Sequence, residues 1–340
     1  MAVNLQLPLA VGGRHGGVAG APRVPLALLP TPLHRAERLE RGLGVPPLYV
    51  KRDDLTGFAA GGNKVRKLEY LLADAHQQGC DALVTGGGPG SNHCVSAAAA
   101  ARVTGMACVL VLYGDPPTRA PVNLTLAQQF EADVRFTGDP QRSSVDRHLP
   151  RVAEALRAGG RRPYVVPRGG ATPVGTLAYA QALGELSQQL DQRGVVPQLV
   201  LVGTGSGGTQ AGLIAGTIAA DLPWRIEGAS VSRPPDVAMR RVATLAGACA
   251  DRLGTRRPRS DEVRVTDARG PGYGQPSTAG ERCARLAAVS DGILLDPVYA
   301  AKALALLADV VDGPGPVVFW HTGGTAPAIA AAAARVGRPS

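Results

Sequence analysis

Short apolar runs bounded by Gly or Pro alternate with helix-length segments along most of this chain, and that alternation limits the folds open to it. The runs Ala82–Thr85, Ala107–Leu112, Tyr164–Val166, Leu199–Val202, Arg225–Ala229 and Val317–Trp320 predict buried parallel strands, because a strand covered on both faces needs no polar alternation. Helices are predicted between them over Ser91–Val103, Val122–Phe130, Ser143–Arg157, Gly175–Leu190 and Pro297–Val311. The pattern implies an α/β fold, open mostly parallel sheets with helices on both faces. With 340 residues, 45% of them hydrophobic, the chain can fill the cores of two lobes. The expected division is a small domain over 58–165 inserted into a large one made of 26–57 plus 166–340. Arg161–Pro167 returns the chain to the large domain, and 1–25, rich in Gly, Pro and Ala, forms a loose arm. No internal repeat is visible.

A formal charge of +9 and a pI near 9.7 raise the question of nucleic acid. The Arg residues are scattered from Arg14 to Arg338 and aromatics are only 4% of the chain, so no basic run interleaved with stacking side chains exists. Anionic small molecules suit this balance better. No apolar stretch of about eighteen residues is present to cross a membrane, and no leader-like N-terminus is seen, so a cytoplasmic enzyme is expected. The five cysteines lack C-x-x-C spacing, which supports neither a zinc site nor a disulfide framework; no metal is expected.

Lysine is rare here, occurring only at Lys51, Lys64, Lys67 and Lys302. A chain that otherwise prefers Arg keeps Lys where an amine is needed, since a guanidinium does not lose its proton to become a nucleophile or base. Lys64 stands out because Gly61-Gly62-Asn63 precedes it and the apolar-periodic segment Val65–Tyr70 follows; a plain helix first-turn lysine is the bland alternative.

Two glycine-rich turns leave predicted strands and enter predicted helices, where ligands of such folds gather. Thr85-Gly86-Gly87-Gly88-Pro89-Gly90-Ser91-Asn92-His93 has Ser91 as its candidate N-cap, and free N–H groups at the helix start suit a carboxylate or phosphate. Gly203-Thr204-Gly205-Ser206-Gly207-Gly208-Thr209 opens a helix expected from Gln210 and can wrap a phosphate with N–H groups and two hydroxyls. The same residues fit the dinucleotide fingerprint, with Glu227 at the distance of a ribose-binding acid. By that segment alone a nicotinamide-dependent oxidoreductase leads.

The Lys64 segment weighs against a dinucleotide. A cofactor with one phosphate and an aldehyde needs both a phosphate cradle and a lysine, and pyridoxal 5'-phosphate has those two handles. A free lysine is only ~0.04% neutral at pH 7, so its pKa must be lowered, and the charges of Arg66 and Lys67 are expected to contribute.

Ordered motifs along most of the chain resemble the pyridoxal-phosphate enzymes of the tryptophan-synthase-β-like fold (fold type II), in the branch of D-cysteine desulfhydrase and 1-aminocyclopropane-1-carboxylate deaminase. They are Pro30-Thr31-Pro32-Leu33, Lys51–Gly57, Gly61–Tyr70, Ser91-Asn92-His93, Gly205–Gly212, Gly272-Tyr273-Gly274, Leu295–Tyr299 and His321-Thr322-Gly323-Gly324. The resemblance implies a homodimer acting on a small amino acid by β-elimination or deamination. It implies that Lys64 forms the Schiff base and shuttles the proton, and that Thr204, Gly205, Ser206, Gly207, Gly208 and Thr209 hold the phosphate. Asn92 would bond the ring 3-hydroxyl and Thr322 the pyridine nitrogen. Ser91, Asn92 and His93 would grip the substrate carboxylate, with Ser91, Tyr273 and Tyr299 in catalysis and both tyrosines facing the substrate.

The chain also departs from that pattern. Members commonly have Ile-Gln before Ser-Asn and Arg-Gln soon after it, against Pro89-Gly90 and Val95-Ser96 here. The deaminase branch has Gln at the place of His93 and Glu at that of Ala300, so His93 and the Thr322 segment favour the desulfhydrase side. Ala300 fits neither branch, and Arg168 adds a cation near the cleft. The expected function is therefore D-cysteine desulfhydrase-like elimination. The alternatives are cyclopropane opening, elimination from cysteate or a related amino acid, the oxidoreductase, and a non-catalytic ligand-binding protein.

Overall fold

The computed structural model describes residues 21–59 and 61–336. The strands of that region are β1 (Leu33–Arg35), β2 (Leu48–Arg52), β3 (Ala82–Gly87), β4 (Ala107–Leu112), β5 (Asp133–Phe136), β6 (Pro163–Val165), β7 (Leu199–Thr204), β8 (Arg225–Ser230), β9 (Arg264–Asp267) and β10 (Val317–His321). They form two sheets, one ordered β1-β2-β10-β7-β8-β9 and the other β5-β4-β3-β6. Every pairing is parallel except β1 with β2. The α/β expectation holds.

Side chains alternate between the two faces of each sheet, as the pleat requires. In the larger sheet Val200, Val202, Val318 and Trp320 pack on one side against helices Pro173–Asp191 and Gly208–Ala219. Leu199, Leu201, Val317 and Phe319 pack on the other. In the smaller sheet Leu83, Cys108, Leu110 and Leu112 face helices Asn63–Gln77 and Asn92–Val103. Val84, Val109 and Val111 face helix Ser144–Ala158. Burying both faces is why these strands read as continuous apolar runs.

Most predicted elements recur with ends shifted by one or two residues. The helix expected over Pro297–Val311 instead splits into Ala300–Ala305 and Leu307–Val310. Its start is set by Asp296, whose carboxylate accepts from the N–H groups of Val298, Tyr299 and Ala300 at 3.0, 2.7 and 3.0 Å, which makes Tyr299 the N-cap. The helix expected from Gln210 begins at Gly208. Four short strands, β1, β2, β5 and β9, had no apolar run to announce them. Of the expected N-terminal arm, residues 1–20 lie outside the described residues. Val24 is buried and donates its N–H to Glu69 O at 2.9 Å, and Glu69 Oε1 accepts from Leu26 and Ala27.

Candidate active site

A cavity opens where β3, β7 and β10 end. Of the predicted site residues, Lys64, Ser91, Asn92, His93, Thr204, Gly205, Ser206, Gly207, Thr209, Tyr273, Tyr299 and Thr322 all line it. Gly208 sits behind the loop as the buried first residue of its helix. Two segments must pass unusually close to bring Lys64 to this place. A Cβ on Gly323 would lie 2.5 Å from Gly62 Cα, and one on Gly62 would lie 2.9 Å from Thr322 O, with φ of +110° and +97° at the two glycines. Only glycine permits that crossing, and Asn63 N–H seals it by donating to Thr322 O at 2.8 Å.

Lys64 Nζ donates to Asn63 Oδ1 at 2.7 Å, and Asn63 Nδ2 donates to Thr209 Oγ1 at 2.9 Å. The amide thereby ties the amine to the glycine loop of β7. Burial brings the Lys64 pKa down to about 8, with Asp296 opposing. The expected help from Arg66 is not what does this: Arg66 turns away and is neutralised by Asp53 and Glu185. Lys67 is buried behind the loop beside Gly208, and burial followed by the charge of Lys64 holds its own pKa well below the usual lysine range.

The loop after β7 is shaped to receive an anion. Gly207 has φ +90°, and no hydrogen bond within the described residues is donated by the backbone N–H groups of residues 206–209. Free N–H groups at a helix N-terminus suit a phosphate. Arg233 donates to Gly205 O and Arg241 to Ser206 O, fixing the loop from behind. Thr204 turns its hydroxyl to Gln210 Oε1 at 2.8 Å. Lys67, expected from the sequence only as a charge beside Lys64, has its Nζ 3.2 Å from a Cβ built on Gly208. Its short glycine-loop neighbour is separated by 141 positions in sequence, so only the fold reveals the approach.

At the first turn Ser91 caps its helix, accepting from Cys94 N–H at 3.3 Å. Asn123 Nδ2 donates both to Gly90 O at 3.0 Å and to Asn92 Oδ1 at 2.7 Å. Because Gly90 O demands a donor, the Asn92 amide is fixed with its NH2 left for the cavity. His93 is 3% exposed, and its Nε2 meets Thr85 Oγ1 at 2.8 Å. The Thr85 hydroxyl spends its proton on Val166 O, so His93 Nε2 carries the hydrogen and Nδ1 is a lone-pair acceptor without a partner among the described residues. Burial lowers the His93 pKa to about 3; this histidine is neutral.

Across the cavity the hydroxyls of Tyr273 and Tyr299 share a hydrogen bond of 2.7 Å. Burial, reinforced by Tyr273, holds the Tyr299 pKa well above the usual phenol range. Lys302, 2% exposed, donates to Arg269 O and Gly272 O at 2.6 and 2.8 Å and so fixes the loop bearing Tyr273. The decoy acid Glu227 lies away from all of this. It sits mid-strand opposite Leu201, accepts from Thr266 at 2.9 Å and does not line the cavity, as a ribose-binding acid would have to.

An amine of lowered pKa, a loop of free N–H groups, and a fixed amide donor match a cofactor bearing an aldehyde, a phosphate and a ring hydroxyl. The comparisons with known proteins agree. A D-cysteine desulfhydrase of Salmonella newport is 38% identical over 316 residues, covering 91% of this chain and 95% of that protein. A Pyrococcus abyssi protein provisionally named 1-aminocyclopropane-1-carboxylate deaminase is 38% identical over 306 residues, covering 89% and 92%. Among solved structures, a homologue of that deaminase superposes with a TM-score of 0.84 at 34% identity, covering 91% of this chain and 93% of its own. A threonine deaminase at 23% identity and TM-score 0.63 shares the fold. The family model described as "pyridoxal-phosphate dependent enzyme" matches residues 24–323, and the chain belongs to that family.

Proposed function

We propose that the enzyme catalyses β-elimination from a small amino acid, releasing ammonia and a 2-oxo acid as a D-cysteine desulfhydrase does. Pyridoxal phosphate, when bound, supplies an aldehyde for covalent attachment and a ring that draws electrons from Cα. The N–H groups of residues 206–209 would hold its phosphate, with Thr209 hydroxyl and Lys67 beside them. Asn92 NH2 would meet the ring hydroxyl, and Thr322 the ring nitrogen. Ser91 and the start of helix Asn92–Val103 would take the substrate carboxylate, with His93 turned inward as a neutral support. Lys64 Nζ would carry the link and hold the Cα proton, a role supported by its place on the cavity wall and its lowered pKa.

The tyrosine pair carries the choice of elimination. Tyr299 is kept protonated and shares its hydrogen bond with Tyr273, so the pair can deliver a proton to a departing substituent. The nearby carboxylate, Asp296, has its oxygens committed to three N–H groups and is poorly placed to act as an acid. Opening of the cyclopropane ring is the second reading, favoured by the 0.84 superposition with the deaminase homologue. A side-by-side assay decides between them: faster release of ammonia and 2-oxo acid from D-cysteine or β-chloro-D-alanine is expected. Preference for 1-aminocyclopropane-1-carboxylate would overturn elimination.

The same reading takes the protein as a cytoplasmic homodimer with a small domain over 58–165. Its support is the resemblance together with five free cysteines, which suit a reducing compartment. No helix of the described residues is long and apolar enough to cross a membrane. A solution mass of twice 34.9 kDa is expected by light scattering.

A further inference from the structure

Helix Val122–Gln129 carries none of the site residues read from the sequence, yet its second residue reaches the cavity wall. Asn123 is 2% exposed. Its Nδ2 lies 3.0 Å from Gly90 O and 2.7 Å from Asn92 Oδ1, so one amide nitrogen gives both of its hydrogens to groups 33 and 31 positions away in sequence. The two acceptors flank Ser91, whose hydroxyl caps helix Asn92–Val103. Asn123 thus holds this turn from both sides, by the carbonyl that enters it and by the side chain that leaves it.

Asn123 Oδ1 is buried without a partner among the described residues. A buried acceptor left unpaired is costly, and a leucine of nearly the same shape would avoid that cost. What the amide offers in its place is a pair of N–H donors on one atom. Both oxygens it serves lie on the same nitrogen, so they are close to one another. Without Asn123, Gly90 O would lose its donor, and the Asn92 amide could turn its own NH2 to that carbonyl and away from the cavity.

We propose that Asn123 is a positioning residue that acts through Asn92, holding the Asn92 NH2 group toward the ring hydroxyl of pyridoxal phosphate and keeping Gly90 O from competing for the same hydrogens. The inference rests on the assignment of Asn92 to the ring hydroxyl under the proposed function, and it deepens that assignment. A donor aimed in advance needs no reorientation when the cofactor arrives, so its hydrogen bond counts fully toward affinity.

Equilibrium titration of apoenzyme with pyridoxal phosphate and with the analogue lacking the ring hydroxyl, 3-deoxypyridoxal phosphate, tests this. The parent enzyme is expected to prefer the hydroxyl-bearing cofactor by about tenfold, the weight of one strong hydrogen bond. Asn123→Leu should cut that preference to about threefold or less, with the deoxy analogue much less affected than pyridoxal phosphate. Loosened packing alone would weaken both cofactors by the same factor, so the ratio reads the donor and not the fold. Asn123→Ala, which cannot overpack the site, repeats the measurement should the leucine variant fail to fold. A preference that stays at its parent value in the variants, or an equal weakening of both cofactors, overturns the proposal. If the parent shows no preference, the assignment of Asn92 to the ring hydroxyl fails and the role of Asn123 falls with it. If the preference depends on Asn123 while no β-substituted amino acid is turned over, the positioning role stands and the elimination reading fails alone.

Discussion

All four lysines of this Arg-rich chain have interior tasks. Lys51 is buried against Glu185 at 2.5 Å, Lys302 holds the Tyr273 loop, Lys67 abuts the glycine loop, and Lys64 faces the cavity. The scarcity of lysine was legible in the sequence, and so was the segment that brings Lys64 to the cavity. What lowers its pKa was not, because burial is a property of the packed molecule and the neighbours in sequence point elsewhere. Lys64→Ala is expected to abolish the visible absorbance of the bound cofactor and all turnover, with the circular dichroism of the fold retained. A borohydride-reducible adduct surviving in that variant would show that another amine carries the link. Lys67→Ala should keep the absorbance at saturating cofactor but weaken cofactor binding by about tenfold, through loss of one charge-assisted contact. The sign with pH also follows. A pKa of about 8 leaves about a tenth of Lys64 neutral at pH 7, so the rate at which apoenzyme takes up cofactor should rise through pH 8 and level off above it. A rate independent of pH between 6.5 and 9 would contradict the assignment.

At the scale of elements, the central strands announced themselves because burial on both faces makes them uninterruptedly apolar, except β2, whose run ends in Lys51 and Arg52. The strands β5, Asp133-Val-Arg-Phe, and β9, Arg264-Val-Thr-Asp, are sheet edges. An edge strand mixes charge with apolar residues, and over four residues that mixture looks like loop. The split of Pro297–Val311 was hidden for another reason: a carboxylate cap acts through geometry, which an Asp-Pro pair alone does not disclose. The loop after β7, read by spacing alone, favoured a dinucleotide over pyridoxal phosphate. The strand register, which puts Glu227 beside Leu201 and away from the cavity, removes the ribose-binding acid that the spacing suggested. Gly207→Asp should therefore weaken cofactor binding on two counts, since a side chain is strained at φ +90° and a carboxylate repels the phosphate. Equilibrium titration of apoenzyme with pyridoxal phosphate reads this, and unchanged affinity would place the phosphate elsewhere.

The two sheets are joined through a buried ionic knot whose members come from distant parts of the chain. Asp53, fully buried, accepts from Thr31 at 2.9 Å, Tyr179 at 2.5 Å, Trp320 Nε1 at 2.8 Å and the Arg66 guanidinium. Arg66 also pairs with Glu185 at 2.8 Å, and Glu185 with Lys51. Arg66 is two residues from Lys64 on helix Asn63–Gln77, so the knot anchors the helix that carries Lys64 to the sheet that carries the glycine loop after β7. The motif Lys51-Arg52-Asp53-Asp54 was visible in the sequence, but nothing there showed that its charges meet residues more than a hundred positions away. Burial pushes the Asp53 pKa up, yet the charge and hydrogen bonds of Arg66, with Lys51, hold it below the usual carboxylate value. Glu185 is likewise depressed, against its burial, by Arg66. A depressed carboxylate contributes stability above its unfolded pKa and loses it as pH falls through the folded value. Thermal unfolding followed from pH 7 downward should therefore show the melting temperature falling below about pH 4. Asp53→Ala strands the Tyr179 and Trp320 donors and leaves Arg66 to Glu185 alone, which should cost about 3–5 kcal/mol and flatten the acid limb of that profile. Asp53→Ala melting within a degree of the parent at neutral pH would show that Glu185 alone suffices to hold Arg66, and with it the helix of Lys64, in place.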